Sequence, residues 1–364
     1  MTVILKTDAL NPDPAVIRAA ARTIVGGGTV AFPTETVYGL GADALNESAC
    51  RKIFEIKRRP ADNPLIVHVA DADSLNEVCS GLDEEVFRLA RRVWPGPVTL
   101  VLPRSPKIPY VVTGGLETVA VRVPAHPVAQ ALIRESGRPI AAPSANLASR
   151  PSPTSARHVE EDLLGRVDVI IDGGETFLGV ESTVVKFAEG RATVLRPGPF
   201  TVEDLGKLFS EVEVAGLHDV GRPIAPGMKY RHYAPRKPVF LVEGDLKPLI
   251  QDLLRAGRRP AVLCTRDFSK ETAAPAIILA ETNDLAEVAK NLFKCLRQLD
   301  KTDCEFGVIG PMPETGLGLA VMNRVRKACG GSTVRSAYEI VERLSTPSHA
   351  KKDERQYDLL ADQK

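Results

Sequence analysis

Lys57-Arg58-Arg59, followed by Asn63 and Pro64, sets three cations where a helical pattern gives way to a loop. Arginine offers a planar fork to phosphate oxygens and lysine a point charge, so the cluster suits a phosphate group. A solvated helix end is the competing account, because basic side chains favour helix C-termini. Ala141-Ala142-Pro143-Ser144-Ala145-Asn146 closes a short apolar strand with serine and asparagine, ahead of a Pro-rich loop through Ser152. Ligands of α/β sheets bind at such strand ends, although Ser and Asn also bond their own backbone in ordinary turns. Arg122, inside the apolar run Val119 to Val123, needs a partner, either a substrate carboxylate or an internal acid. His68 lies inside Leu65 to Val69, where a core or sheet-face role is the simpler account. Gly179-Val180-Glu181-Ser182-Thr183 and Arg196-Pro197-Gly198 are two further polar groups at strand edges.

Other chemistries lack their residues. Gly39-Leu40-Gly41-Ala42-Asp43-Ala44 matches a relaxed dinucleotide pattern, but the glycines fall well past the preceding strand and Asp62 sits in a Pro-flanked loop. A turn that needs glycine is the expectation there. No Gly-x-x-x-x-Gly-Lys-[Ser/Thr] occurs, which excludes a P-loop. Six cysteines without a Cys-x-x-Cys pair and six dispersed histidines give no metal-ligand spacing, so buried reduced thiols and no structural metal are expected. With 47 Lys+Arg against 46 Asp+Glu, the net charge of +1 argues against a purely electrostatic nucleic-acid clamp. No apolar run approaches the roughly 18 to 20 residues of a membrane span, and Met1 to Asn11 lacks a signal-type block, so a cytoplasmic location is expected.

The elements that must position these residues follow from periodicity. At 364 residues the chain has room for about two domains. Helical spacing marks Pro14 to Val25, Ser48 to Arg58 with Asn46 as cap, Glu84 to Val93, Val128 to Glu135 and Ser155 to Leu164. β-type runs occur at Val30 to Phe32, Leu65 to Val69, Val98 to Leu102, Val119 to Val123, Val167 to Ile171, Ser182 to Phe187 and Ala192 to Leu195. Several of these strands follow one another with no helix between, which predicts an open, mixed α/β sheet, since parallel crossovers need a dozen or more residues. Residues 1–215 form this first domain. Residues 216–238, rich in Gly, Pro, His and Arg and carrying Tyr233, read as an ordered linker packed on something. Residues 239–346 alternate short buried strands with helices such as Leu285 to Leu299, a smaller α/β domain, and 347–364 are a polar tail expected to fray.

With these residues in view, the chain resembles the threonylcarbamoyl-AMP synthases in their long form, a YrdC-like catalytic domain joined to a smaller Rossmann-like one. The resemblance runs from about Asn11 to Leu344. It rests on Phe32-Pro33-Thr34-Glu35-Thr36-Val37-Tyr38-Gly39-Leu40-Gly41, on Lys57-x-Arg59 and Ser144-x-Asn146, and on Pro95-Gly96-Pro97-Val98-Thr99. The stretches Pro226 to Pro235 and Gly316-Leu317-Gly318-Leu319-Ala320 point to the long form, with Ala225 standing where many relatives have serine.

What the resemblance implies is condensation of L-threonine, bicarbonate and ATP to threonylcarbamoyl-AMP and pyrophosphate, with Mg2+ accompanying ATP. The product would feed the machinery that transfers the threonylcarbamoyl group to the adenosine next to the tRNA anticodon. By the same resemblance, Thr36, His68, Arg122, Ala142 and Ser182 are the threonine contacts. Lys57, Arg59, Asn63, Thr118, Ser144, Asn146, Ser152 and Arg196 are the nucleotide side, with Lys57, Arg59, Ser144 and Asn146 the catalytic quartet and Tyr233 in a linker that covers the nucleotide. The rival from another class is an RNA-binding module using Arg51, Lys52, Lys57, Arg58, Arg59, Arg88, Arg91 and Arg92 as a basic surface. A third possibility is a carbamoyl-transfer maturation factor that shares the domain, but those carry Cys-rich zinc segments absent from this sequence.

Overall fold

The computed structural model describes residues 1–215, 232–331 and 333–345. They fall into two units, residues 1–148, 152–215 and 315–320 in the first, and the remainder in the second. In the first, the strands are β1 (Val3–Lys6), β2 (Val30–Pro33), β3 (Tyr38–Asp43), β4 (Ile66–His68), β5 (Val98–Pro103), β6 (Thr118–Arg122), β7 (Ile140–Ala141), β8 (Val169–Asp172), β9 (Thr183–Ala188), β10 (Arg191–Arg196) and β11 (Glu211–Val214). They join in one sheet in the order β1-β8-β2-β3-β7-β4-β6-β5-β9-β10-β11. Parallel pairs such as β4·β6 and β5·β9 sit beside antiparallel pairs such as β4·β7 and β5·β6, so the sheet is mixed as the strand spacing requires.

Two cores lie on its two faces, and the alternation of side chains along each strand assigns residues to one or the other. Ala31, Tyr38, Leu40, Ala42, Ala141 and Ile170 enter one core with Ile53, Leu65 and Trp94. Val30, Phe32, Ile140, Ala142, Val169 and Ile171 enter the other, with Ile17, Ala20 and Ile24 of the helix Pro14–Val25 and Val128, Leu132 and Ile133 of the helix Pro127–Ser136. The first of these helices is started by Asp13, whose side chain accepts the Ala15 N–H, and by Pro14 at its first position.

The expected glycine turn at Gly39 to Ala44 is instead strand β3. A Cβ on Gly41 would stand 2.6 Å from Ile140 Cγ2 and 2.7 Å from Phe32 Cε1. Glycine is there because the Phe32 ring and Ile140 lie against the backbone, not because the chain turns. Strands β1 and β11 have mostly exposed side chains; β1 shows no apolar alternation, and β11 is a short Glu-Val-Glu-Val run at the sheet edge.

The second unit has β12 (Val239–Val242), β13 (Pro260–Thr265), β14 (Ala276–Ala280), β15 (Phe306–Ile309) and β16 (Thr333–Val334), all parallel where paired, in the order β14-β13-β15-β12-β16. Helices Leu246–Arg255 and Leu285–Leu299 are among its connections, giving the alternating pattern of a Rossmann-like layer. No described helix is long and apolar enough to cross a membrane.

Candidate active site

The helix Glu47–Lys57 is capped by Asn46 and stopped by Arg58, whose left-handed φ of 51° reverses the chain. That reversal sends the two flanking cations different ways. Lys57 is buried at 2 % exposure and its ammonium donates to the carbonyls of Ser144 and Asn146. Arg59 donates through Nε to the Asn63 carbonyl at 3.3 Å and through Nη2 to that of Pro64 at 3.0 Å. The Ser144 hydroxyl in turn donates to Asn146 Oδ1 at 2.5 Å, and Ser144 bridges to Gly39 of β3. Lysine thus fastens the loop that bears Ser144 and Asn146, a link that sequence spacing alone did not reveal.

Strand registers separate the site residues into two ends. Ile66 pairs with Ala120 and His68 with Arg122, while Ala142 donates its N–H to the Ile66 carbonyl. Thr118 pairs with Pro103 at the start of β6, and Arg59 reaches the carbonyls of Asn63 and Pro64 just before the start of β4. Arg122 is four residues from Thr118 along β6, about 13 Å in extended chain.

At that second end Arg122 is clasped on three sides. Nε donates to the Gly96 carbonyl at 3.1 Å, Nη1 to Thr36 Oγ1 at 3.0 Å, and Nη2 lies 2.6 Å from Glu35 Oε1. The internal acid therefore exists, and it was not among the expected site residues. Its trace in the sequence was an acid in an otherwise apolar and hydroxyl-bearing stretch, the counterpart of the lone arginine in β6. His68 Nδ1 is 3.3 Å from the Ile140 carbonyl, which can only accept, so Nδ1 carries the proton and Nε2 is left as an acceptor. Burial, aided by the Arg122 charge, pushes the His68 imidazole down to about 3, so it is neutral at pH 7.

Ser182, just before β9, shares a 2.7 Å hydrogen bond with Thr99 of β5. Its carbonyl accepts from Arg196 Nε at 3.1 Å and Nη2 at 2.9 Å, and its hydroxyl lies 3.1 Å from Nη2. Arg196, expected on the nucleotide side, is thereby placed against a residue expected on the threonine side. Gly198 allows this closeness, since a Cβ there would lie 2.3 Å from the Thr183 nitrogen. Ser152 donates to Glu181 Oε1 at 2.5 Å.

Tyr233 belongs to the second unit, where it is buried at a positive φ of 66°, 5.1 Å from the Phe293 ring and with the Arg324 guanidinium 5.9 Å from its own. Residues 216–231 of the expected linker, Ala225 among them, and the tail from residue 346 lie outside the described residues. Of the proposed basic surface, Lys57 is internal, Arg51 pairs with Glu47, and Arg91 pairs with Asp73 and Glu84.

The comparisons decide the family. Residues 22–198 match the Sua5_yciO_yrdC family, described as telomere recombination, and residues 200–330 match the threonylcarbamoyl-AMP synthase C-terminal domain. The threonylcarbamoyl-AMP synthase of Pyrococcus abyssi is 49 % identical over 324 residues, 86 % of this chain and 94 % of the relative. The chain belongs to the threonylcarbamoyl-AMP synthase family. The Bacillus subtilis synthase is 47 % identical over 336 residues, 90 % of this chain and 97 % of its own. The crystal structure of Pyrococcus abyssi Sua5 complexed with L-threonine superposes with a TM-score of 0.85 at 46 % identity, covering 92 % of this chain and 99 % of that one. The synthase family's two-part architecture is thus the one found here.

Two buried histidines couple the stability of this fold to acid. His126 starts the helix Pro127–Ser136 by accepting the Val128 N–H on Nδ1, and burial pushes it down to about 4, with Glu35 opposing. Both His68 and His126 are held below their unfolded value near 6.5, so the unfolded chain binds more protons between pH 6.5 and the folded values. Stability falls as pH drops through that window, by about 1.4 kcal/mol per pH unit for each histidine. His126→Asn, which keeps a capping acceptor, should remove one proton's worth of slope between pH 6.5 and 4 in urea unfolding followed across pH. An unchanged slope would count against this account.

Proposed function

We propose that this chain condenses L-threonine, bicarbonate and ATP into threonylcarbamoyl-AMP, releasing pyrophosphate, and that the product supplies the machinery modifying adenosine 37 of tRNA. The observation that carries this is family membership along nearly the whole chain, at 49 % identity to a named synthase. The site's chemistry supports it: a neutral histidine, a fixed guanidinium and hydroxyls at one end, and cations with Ser and Asn at the other.

In this function the threonine amine takes up bicarbonate, losing water, to give a carbamate. The carbamate oxygen forms a bond to the α-phosphorus as the bond to pyrophosphate breaks. Arg122 orients the amino-acid carboxylate, and the acceptor Nε2 of His68 takes the substrate hydroxyl proton in a hydrogen bond. Arg59 with Asn63, Thr118, Ser144 and Asn146 binds the nucleotide, and Lys57 places the Ser144 loop and adds positive charge where phosphate charge develops. Ala142 and Ser182 are amino-acid contacts alongside Thr36, while Ser152 and Arg196 are nucleotide contacts in this scheme.

Among the described residues no three His, Cys, Asp or Glu side chains converge where they could hold a metal ion. Magnesium fits this site as a passenger on the triphosphate, held by phosphate oxygens and water, where it screens charge. A cytoplasmic enzyme near its tRNA pathway is the setting we infer.

The test is pyrophosphate release from ATP and magnesium with purified protein, with L-threonine and bicarbonate together and with each omitted. Release is expected only with both. Release independent of threonine, or none from a folded ATP-binding protein, would overturn the synthase function. In the second case, steep loss of RNA affinity with salt would favour the RNA-binding module.

A further inference from the structure

We propose that Glu35 receives the α-ammonium group of the amino-acid substrate, so that Arg122 and Glu35 together match a zwitterion. The proposal rests on the synthase function above and deepens it. Glu35 is 5 % exposed and its Oε1 is 2.6 Å from Arg122 Nη2, yet among the described residues neither carboxylate oxygen has an aligned hydrogen-bond donor, nor does that Nη2 have an aligned acceptor. The contact is Coulombic without being a hydrogen bond. Arg122 meets its other neighbours well, at Gly96 and Thr36. A carboxylate offers about four lone-pair sites, and buried acids keep their acceptors filled. Glu35 Oε1 thus meets a cation across a short contact, and Oε2 has no aligned donor among the described residues.

Its backbone is fixed in place. The Glu35 carbonyl accepts the Leu178 N–H at 2.8 Å, and the Thr36 carbonyl that of Gly179 at 3.1 Å. Phe177 of the same segment stacks on His126, ring centroids 5.2 Å apart. His126 Nδ1 is an acceptor, so its Nε2 bears the proton and likewise has no partner among the described residues.

Charge balance then selects the ligand. A carboxylate arriving alone on Arg122 would leave two negative groups sharing one guanidinium away from water, an uncompensated buried charge. A zwitterion brings its own cation. Its ammonium has three N–H donors for the oxygens of Glu35, and its carboxylate takes the remaining N–H groups of Arg122. On this account threonine enters with its ammonium intact.

The experiment is calorimetric binding to the full chain of L-threonine and of 3-hydroxybutanoate, which keeps the carboxylate and hydroxyl and lacks the amine. Wild type should prefer threonine strongly. Glu35→Gln should weaken threonine at least about tenfold and leave 3-hydroxybutanoate unchanged or tighter, collapsing the ratio. Equal weakening of both ligands would mean that Glu35 only steadies Arg122, and would overturn the proposal. Retained ATP binding certifies the fold. Should the glutamine variant fail to fold, Glu35→Asp, with its carboxylate one bond shorter, is read by the same ratio. Wild-type protein that bound no threonine would overturn the synthase function itself, an outcome separate from an unaltered ratio.

Discussion

Lys57→Met should lower kcat/KM for pyrophosphate release by at least about 100-fold, the scale of losing one charged donor from a preorganised site. The side chain volume is nearly kept, so the loss is of the ammonium. The Ser144 and Asn146 carbonyls and Asn146 Oδ1, at 3.4 Å, are among its acceptors. Each buried carbonyl left without a donor costs about 1 to 3 kcal/mol, so the loop would move to find water. Ser144 and Asn146 would move with it, and the nucleotide end would lose three groups by one substitution. The effect should fall on ATP binding and turnover, while calorimetric affinity for threonine changes less than threefold, because His68 and Arg122 stand at the other end of the strand pair. Full activity in the variant would remove Lys57 from the site. Equal loss of threonine and ATP binding would mark it as a prop for the whole unit.

The parts of this arrangement that sequence could reveal are those with a local signature. The helix Glu84–Val93 was legible to the residue because Asp83 caps it and Val86, Leu89, Ala90 and Val93 recur at helical spacing. The mixed sheet followed from strands too close in sequence for crossovers. Strand β3 failed because two glycines looked like punctuation, and only the Phe32 ring and Ile140, packed against its backbone, explain Gly41. Lys57 and Arg59 were found as a cluster, but the 87 residues between Lys57 and Ser144 hide the fastening of that loop. Glu35 was quoted inside a motif and passed over. A buried cation in one strand demands a buried anion somewhere, and nothing in spacing says that the anion lies 87 residues earlier. The grouping of Arg196 with Ser182 is likewise a product of pairing between β9 and β10, where Arg196 faces Val184.

Arg122→Lys should raise the KM for threonine by about 100-fold and leave ATP affinity nearly unchanged. Substitution by a neutral residue is the poorer probe. It would leave the Glu35 carboxylate buried without its cation, a loss of about 3 to 5 kcal/mol that would confound activity with folding. Lysine keeps the charge beside Glu35 and removes the fork. The planar guanidinium reaches Gly96, Thr36 and Glu35 at once, which an ammonium on a flexible stem cannot reproduce while also presenting two parallel donors to a carboxylate. Threonine would then be held in several poses, so its amine would meet bicarbonate and its carbamate the α-phosphorus in fewer productive encounters. The decisive measurement is steady-state pyrophosphate release across threonine concentrations at saturating ATP, alongside calorimetric ATP binding. A normal threonine KM in Arg122→Lys would show that the carboxylate is held elsewhere. An equal fall in ATP affinity would show that Arg122 acts by supporting the sheet between β5 and β4, its neighbours on either side.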